Sequence, residues 1–154
     1  MPSTPEIKTI KPITFLIHRA ETTVTDLIKF VPVGQQLFKE AVEKKLFITG
    51  SIHWHYFGFD GDESKRFTLE VALPVAEVLS DYDGAFHFKR TESFNSVCLT
   101  HEGRWDEIPK SYGAIMQFIQ ANGLTPAGIN REIYVNSDFN NQEANVTEIQ
   151  FGIQ

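Results

Sequence analysis

Ile52-His53-Trp54-His55-Tyr56 and Asn130-Arg131-Glu132-Ile133-Tyr134 are the stretches whose reading decides the fold, because they hold the same place in an internal repeat. Adding 78 to a position in the first half lands on a like residue in the second: Leu46 and Leu124, Gly50 and Gly128, Tyr56 and Tyr134, Glu70 and Glu148. Apolar positions keep this offset without a gap, pairing Leu37 with Ile115, Phe38 with Met116, Ala41 with Ile119, Val71 with Ile149, Leu73 with Phe151 and Val75 with Ile153. So ordered a set marks two copies of one supersecondary unit, which constrains a fold more tightly than local propensity does.

Each copy reads as a strand, a helix and a hairpin. In the first, Ile13 to His18 is a β-rich run, and Gln35 to Lys45 carries apolar residues at 37, 38, 41 and 42, the spacing of one helical face. Its hairpin spans Ile52 to Phe59 and Phe67 to Leu73, split by the turn-forming Asp60-Gly61-Asp62-Glu63-Ser64. In the second, Ser96 to Thr100 is the strand, and Tyr112, Ile115, Met116 and Ile119 make the helical face. Pro109 and Gly123 bracket that helix at the positions where each residue costs least. The second hairpin runs from Glu132 to Val135 and from Val146 to Ile153, and Ala85 to Arg90 adds a strand whose pairing the sequence leaves open. The expected architecture is α+β: duplicated strand-helix-hairpin units forming an antiparallel sheet, two helices on one face, a pseudo-twofold axis and a central cleft. Residues 1–11 are expected to be a short lead-in and 12–154 a single domain with repeat halves at about 12–78 and 85–154.

Composition narrows the function. A chain of 154 residues, 42% hydrophobic and 22% charged, has the apolar content to bury a core in one domain. Its net charge of −6, from 14 basic and 20 acidic residues, repels phosphate backbones, so no direct nucleic-acid binding is expected. No apolar run approaches the roughly 18–20 residues that span a bilayer, and no signal peptide is visible, so a cytoplasmic protein without a membrane partner is expected. One cysteine, Cys98, can make neither an internal disulfide nor a thiolate zinc site.

Side chains alternate across a strand, so Ile52, Trp54 and Tyr56 share one face while His53, His55 and Phe57 share the other. The repeat makes Glu132 equivalent to Trp54 and Tyr134 equivalent to Tyr56, an indole in one copy answering a carboxylate in the other. If both strands line the seam between the halves, the cleft has aromatic walls and one acid. An acid out of water loses solvation worth several kcal/mol unless a counter-charge or hydrogen bonds replace it. An organic cation supplies the charge, and aromatic faces attract the same cation.

The second half also carries Thr100-His101-Glu102-Gly103-Arg104-Trp105-Asp106-Glu107-Ile108-Pro109, then Tyr112, Asn122-Gly123-Leu124 with Gly128, Arg131-Glu132-Ile133-Tyr134, and Val146-Thr147-Glu148-Ile149. In this combination it resembles the GyrI-like effector-binding family, whose members occur fused to DNA-binding segments in transcription regulators or alone as gyrase-inhibitor-like proteins. The resemblance implies a doubled strand-helix-hairpin fold whose Arg-Glu-x-Tyr glutamate, here Glu132, meets cationic or polar aromatic compounds. The expected ligand-binding residues are Glu132, Tyr134, Trp54, Tyr56 and Trp105, the last standing where the family often has Tyr. The expected partner is a small organic ligand, with a separately encoded regulator or gyrase as a further partner that the resemblance leaves open.

Hydrolysis is the rival reading, since some GyrI-like proteins open strained rings of small toxic compounds; Glu132 would then position or activate water as a general base, with Tyr134 or Tyr56 as proton donor. The sequence otherwise displays no nucleophile-base-orienter set and no cofactor fingerprint, so no cofactor is expected. His53 and His55 have a chelating spacing but no third ligand in view, and Asp60-Gly61-Asp62-Glu63 lacks the calcium-loop pattern, so no metal is expected.

Overall fold

The computed structural model describes residues 3–154. Eight strands, β1 (Glu6–Ile10), β2 (Thr14–Thr22), β3 (His53–Phe57), β4 (Phe67–Pro74), β5 (His87–Arg90), β6 (Phe94–Glu102), β7 (Pro126–Asn136) and β8 (Val146–Ile153), form one sheet, and two helices, α1 (Val31–Glu43) and α2 (Ile108–Ala121), pack on it. All pairings are antiparallel, in the order β1-β6-β8-β7-β3-β4-β2-β5. Exchange β2 with β6, β4 with β8 and β3 with β7, and the six inner strands read the same from either end. The open pairing of the fifth strand is settled: it lies on the outer edge of β2. Residues 6–10, expected to lie outside the domain, instead form β1 on the outer edge of β6, because alternation of Ile7 and Thr9 with charged neighbours suits an edge strand better than a free tail.

Both helices form for the reason the repeat suggested, with a different division of faces. In α1 the buried residues are Val33, Leu37 and Ala41, four apart, while Phe38 and Val42 are more than half exposed. In α2 they are Ile108, Ile115 and Ile119, and Met116 lies toward the outside. Burying a Leu or Ile of this kind contributes roughly 1.5–3 kcal/mol, which makes packing rather than propensity the main support of each helix. Gly123 ends α2 at φ +63°, and Leu124 N–H closes the last turn onto the Ile119 carbonyl at 3.0 Å.

Each helix makes its own core. Leu16, Leu37, Leu69, Val71 and Phe67 cluster under α1, with Trp54 packed against them; Val97, Leu99, Ile115, Ile119 and Ile149 cluster under α2. Directly opposed residues share a face, so the row Leu99, Ile149, Glu132, Trp54, Val71, His18 runs across six strands on the helix side. The row Cys98, Gln150, Arg131, His55, Glu70, Arg19 crosses the same strands on the other side. The β3–β7 pair is where the two cores meet, and it carries the seam residues.

Candidate functional site

Glu132 sits at mid-strand in β7, opposite Trp54 of β3 on one side and Ile149 of β8 on the other. It is 8% exposed. Tyr112, from the first turns of α2, donates its hydroxyl to Glu132 Oε2 at 2.6 Å, and Tyr134, two residues along β7, donates to Oε1 at 2.7 Å. The Tyr56 hydroxyl, from β3, lies 3.5 Å from that of Tyr134. Trp54 meets the Tyr134 ring edge to face at 6.0 Å between centroids, and Trp105, on the turn leading into α2, does so at 6.4 Å from the other direction. Trp105 in turn meets Phe139 edge to face at 4.9 Å, and its buried Nε1 has no hydrogen-bond partner.

The other four residues singled out for binding, Tyr134, Trp54, Tyr56 and Trp105, thus gather around the Glu132 carboxylate. Tyr112 was missed as a site residue: it stood in the helical face by spacing, and nothing in a period of 3.6 says that its hydroxyl reaches β7 rather than solvent.

The electrostatics follow from burial. Desolvation raises the Glu132 carboxyl above its ordinary 4.5, while the hydroxyls of Tyr112, Tyr134 and Tyr56 pull it back. Burial first, and the Glu132 charge second, push the phenols of Tyr56, Tyr112 and Tyr134 well above 10.0, so they remain protonated donors. The ion pairs among the described residues do not include Glu132. The acid is held by neutral donors alone.

The seam at Glu132 is lined by these rings and closed over the acid. Clefts of about 380 Å³ and 240 Å³ lie elsewhere, one against β6 and α2, the other beside the end of α1.

On the opposite face, His53 Nδ1 and His55 Nε2 are 3.1 Å apart, and both rings pack edge-on against Phe15. Burial lowers His53 to about 3 and His55 well below 6.5, so both are neutral packing groups at physiological pH. Arg131 lays its guanidinium over the Phe94 ring at 3.9 Å, and burial brings it down to about 10. Glu70 is buried and bridges Arg19 at 2.7 Å and Lys89 at 2.9 Å. This face has the character of a polar scaffold.

No helix among the described residues is long and apolar enough to cross a membrane. No curated protein matches the chain. Among solved structures, the EcmrR C-terminal domain is similar at TM-score 0.81 and 22% identity, with 100% of this chain and 99% of that one covered. EcmrR in its complex with DNA in EcmrR-RPo is similar at TM-score 0.79 and 22% identity, the match covering 100% of this chain and 58% of that one. SAV2435 bound to tetraphenylphosphonium is similar at TM-score 0.66 and 13% identity, with 100% of this chain and 94% of that one covered. The family model for the GyrI-like small molecule binding domain matches residues 3–154, nearly the whole chain and both halves of the repeat. A match of that extent shows the family: the chain belongs to the GyrI-like small molecule binding domain family.

Proposed function

We propose that this small-molecule binding domain takes an amphipathic organic cation at the β3–β7 seam, with Glu132 as counter-charge and Trp54, Tyr56, Tyr134 and Trp105 as aromatic walls. One observation carries the reading: a carboxylate 8% exposed, with a hydroxyl on each oxygen and no basic partner among the ion pairs of the described residues. Two neutral hydrogen bonds offset only part of the cost of burying a charge. A cation entering the seam supplies the missing term, and each aromatic face adds about 0.5–2 kcal/mol as water is excluded. The tetraphenylphosphonium on the similarly folded SAV2435 is a cation of this class.

Binding requires movement at the lining. Tyr112 and Tyr134 occupy the approach to the carboxylate, and a ligand displaces one hydroxyl or slides between the rings of Trp54 and Trp105. Rotation of a phenol about its side-chain torsions costs little beside the charge pairing gained.

The test is a titration with tetraphenylphosphonium and with an uncharged analogue of matched shape, followed by tryptophan fluorescence. Wild type should saturate with the cation and discriminate against the neutral compound; Glu132→Gln should lose about tenfold or more, which corresponds to about 1.4 kcal/mol. Equal affinity for the two compounds, or indifference to the substitution, sinks the reading. Turnover of a strained-ring compound that disappears in Glu132→Gln supports the hydrolase instead.

A further inference from the structure

Ser111 and His101 are ten residues apart in the chain, and the fold closes them into a pair outside the Glu132 site. His101, near the end of β6, is 7% exposed; Ser111 lies in the first turn of α2. His101 Nε2 is 2.8 Å from the carbonyl oxygen of Arg104, and Nδ1 is 2.8 Å from Ser111 Oγ. A carbonyl oxygen can only accept, so the neutral ring carries its proton on Nε2. Nδ1 is then a lone pair, and the Ser111 hydroxyl must donate to it. A hydroxyl donating to an imidazole whose other N–H is anchored is the order of nucleophile, base and orienter that activates serine.

The pair opens on usable space. Both side chains line the cleft of about 380 Å³, together with Leu99 and Ala114 as apolar patches, Glu102 as an acid and Lys110 as a cation that also pairs with Glu107 at 3.4 Å. That volume falls within the range that takes small organic molecules. Consecutive helix positions point about 100° apart, so Ser111 serves this cleft while Tyr112 serves Glu132.

We propose that Ser111 accepts acyl groups from small carboxylic esters, with His101 as its base. As Oγ bonds to the ester carbonyl carbon, its proton passes to His101 Nδ1 and the carbonyl π pair moves onto oxygen, an oxyanion for which Lys110 is the counter-charge in the cleft. Collapse restores the carbonyl and breaks the bond to the alcohol oxygen, which takes the proton from Nδ1 and leaves as the alcohol. Water then adds to the acyl-serine while giving a proton to Nδ1, and collapse returns that proton to Ser111 as the carboxylic acid departs. Ester and water become acid and alcohol, with nothing oxidised or reduced. Throughout, Nε2–H stays on the Arg104 carbonyl.

The full chain is incubated with p-nitrophenyl acetate and, separately, with a fluorophosphonate; nitrophenolate release is followed and the modified residue is mapped by peptide mass spectrometry. The expected result is a single adduct on Ser111, absent from Ser111→Ala, formed at least tenfold more slowly in His101→Gln and unchanged in Ser137→Ala, a substitution at an exposed serine outside both sites. Ser111→Cys, which keeps a nucleophile beside the base, should again be acylated by the ester, and melting curves establish that each variant is folded. An adduct at exposed Ser137 or on lysines, no adduct on the folded wild type, or an adduct on Ser111 that forms as fast in folded His101→Gln overturns the proposal. If His101→Gln does not fold, the wild-type and Ser111→Cys adduct positions decide alone.

Discussion

Trp54 and Glu132 stand directly opposite each other on β3 and β7, and they are also the two residues that the offset of 78 makes equivalent. Two positions related by that offset therefore meet face to face at the middle of the sheet. Had both copies kept the same side chain, the seam would hold two indoles or two carboxylates. Divergence at this one pair places an acid among rings, and the properties that follow can be measured.

The pH dependence has a definite sign. Burial raises Glu132 above 4.5, so between 4.5 and its folded value the native protein holds a proton that the unfolded chain releases. The stability tied to this group is full below 4.5 and is lost as pH rises through the folded value. Cation affinity runs the other way, growing with pH over the same window and then levelling. Titrations and melts across that window should show the two opposed trends in wild type and neither in Glu132→Gln.

The two phenols that hold the acid should behave alike. Tyr112→Phe and Tyr134→Phe each strip one oxygen of its donor and should cost about 1–3 kcal/mol in urea unfolding while moving the Glu132 titration further upward. Tyr56→Phe, whose oxygen is 3.5 Å from that of Tyr134, should cost less than either.

Glu70→Gln separates scaffold from site. Its carboxylate is buried between Arg19 and Lys89, and losing one partner of a buried pair is strongly destabilising. Arg19 and Lys89 side chains remain 55% and 31% exposed and can rehydrate, so the expected loss is about 1–3 kcal/mol. Denaturation should report it, and tetraphenylphosphonium affinity at a temperature where the variant is folded should not change.

Gly152 is where two backbones approach each other. A Cβ there would stand 2.5 Å from the Ile129 carbonyl oxygen and 2.9 Å from the Phe94 ring, beside the irregularity that shifts the β7–β8 register between Pro126 and Asn130. Gly152→Ala should destabilise by about 1–3 kcal/mol, since backbone cannot step aside as a flexible side chain would. A melt equal to that of wild type would mean that the strand relaxes freely.

Much of the fold was legible because periodicity is a one-dimensional record of burial. The repeat, the two helices, both hairpins and the sharing of a face by Trp54 and Tyr56 could all be read from spacing. The faces were less legible: Phe38 and Val42 are apolar at helical spacing and yet exposed, because α1 rests on the sheet along the narrow stripe of Val33, Leu37 and Ala41. The edge strand β1 escaped notice because a short run alternating with charges has no inward signal of its own. His101 and Ser111 gave no sign of pairing, since nine residues of strand end, turn and helix lie between them.

What the sequence determined by itself is the recurrence of like residues at an offset of 78, the α+β class, and the standing of an indole and a carboxylate at positions related by that offset, because these depend only on which residue types recur at which interval. Only the tertiary structure decided that Tyr112 and Tyr134 cap Glu132, that no basic partner among the described ion pairs meets it, and that His101 faces Ser111. Those are distances between atoms far apart along the chain, and they are set by how helix α2 seats on the sheet, a relation that no local pattern encodes.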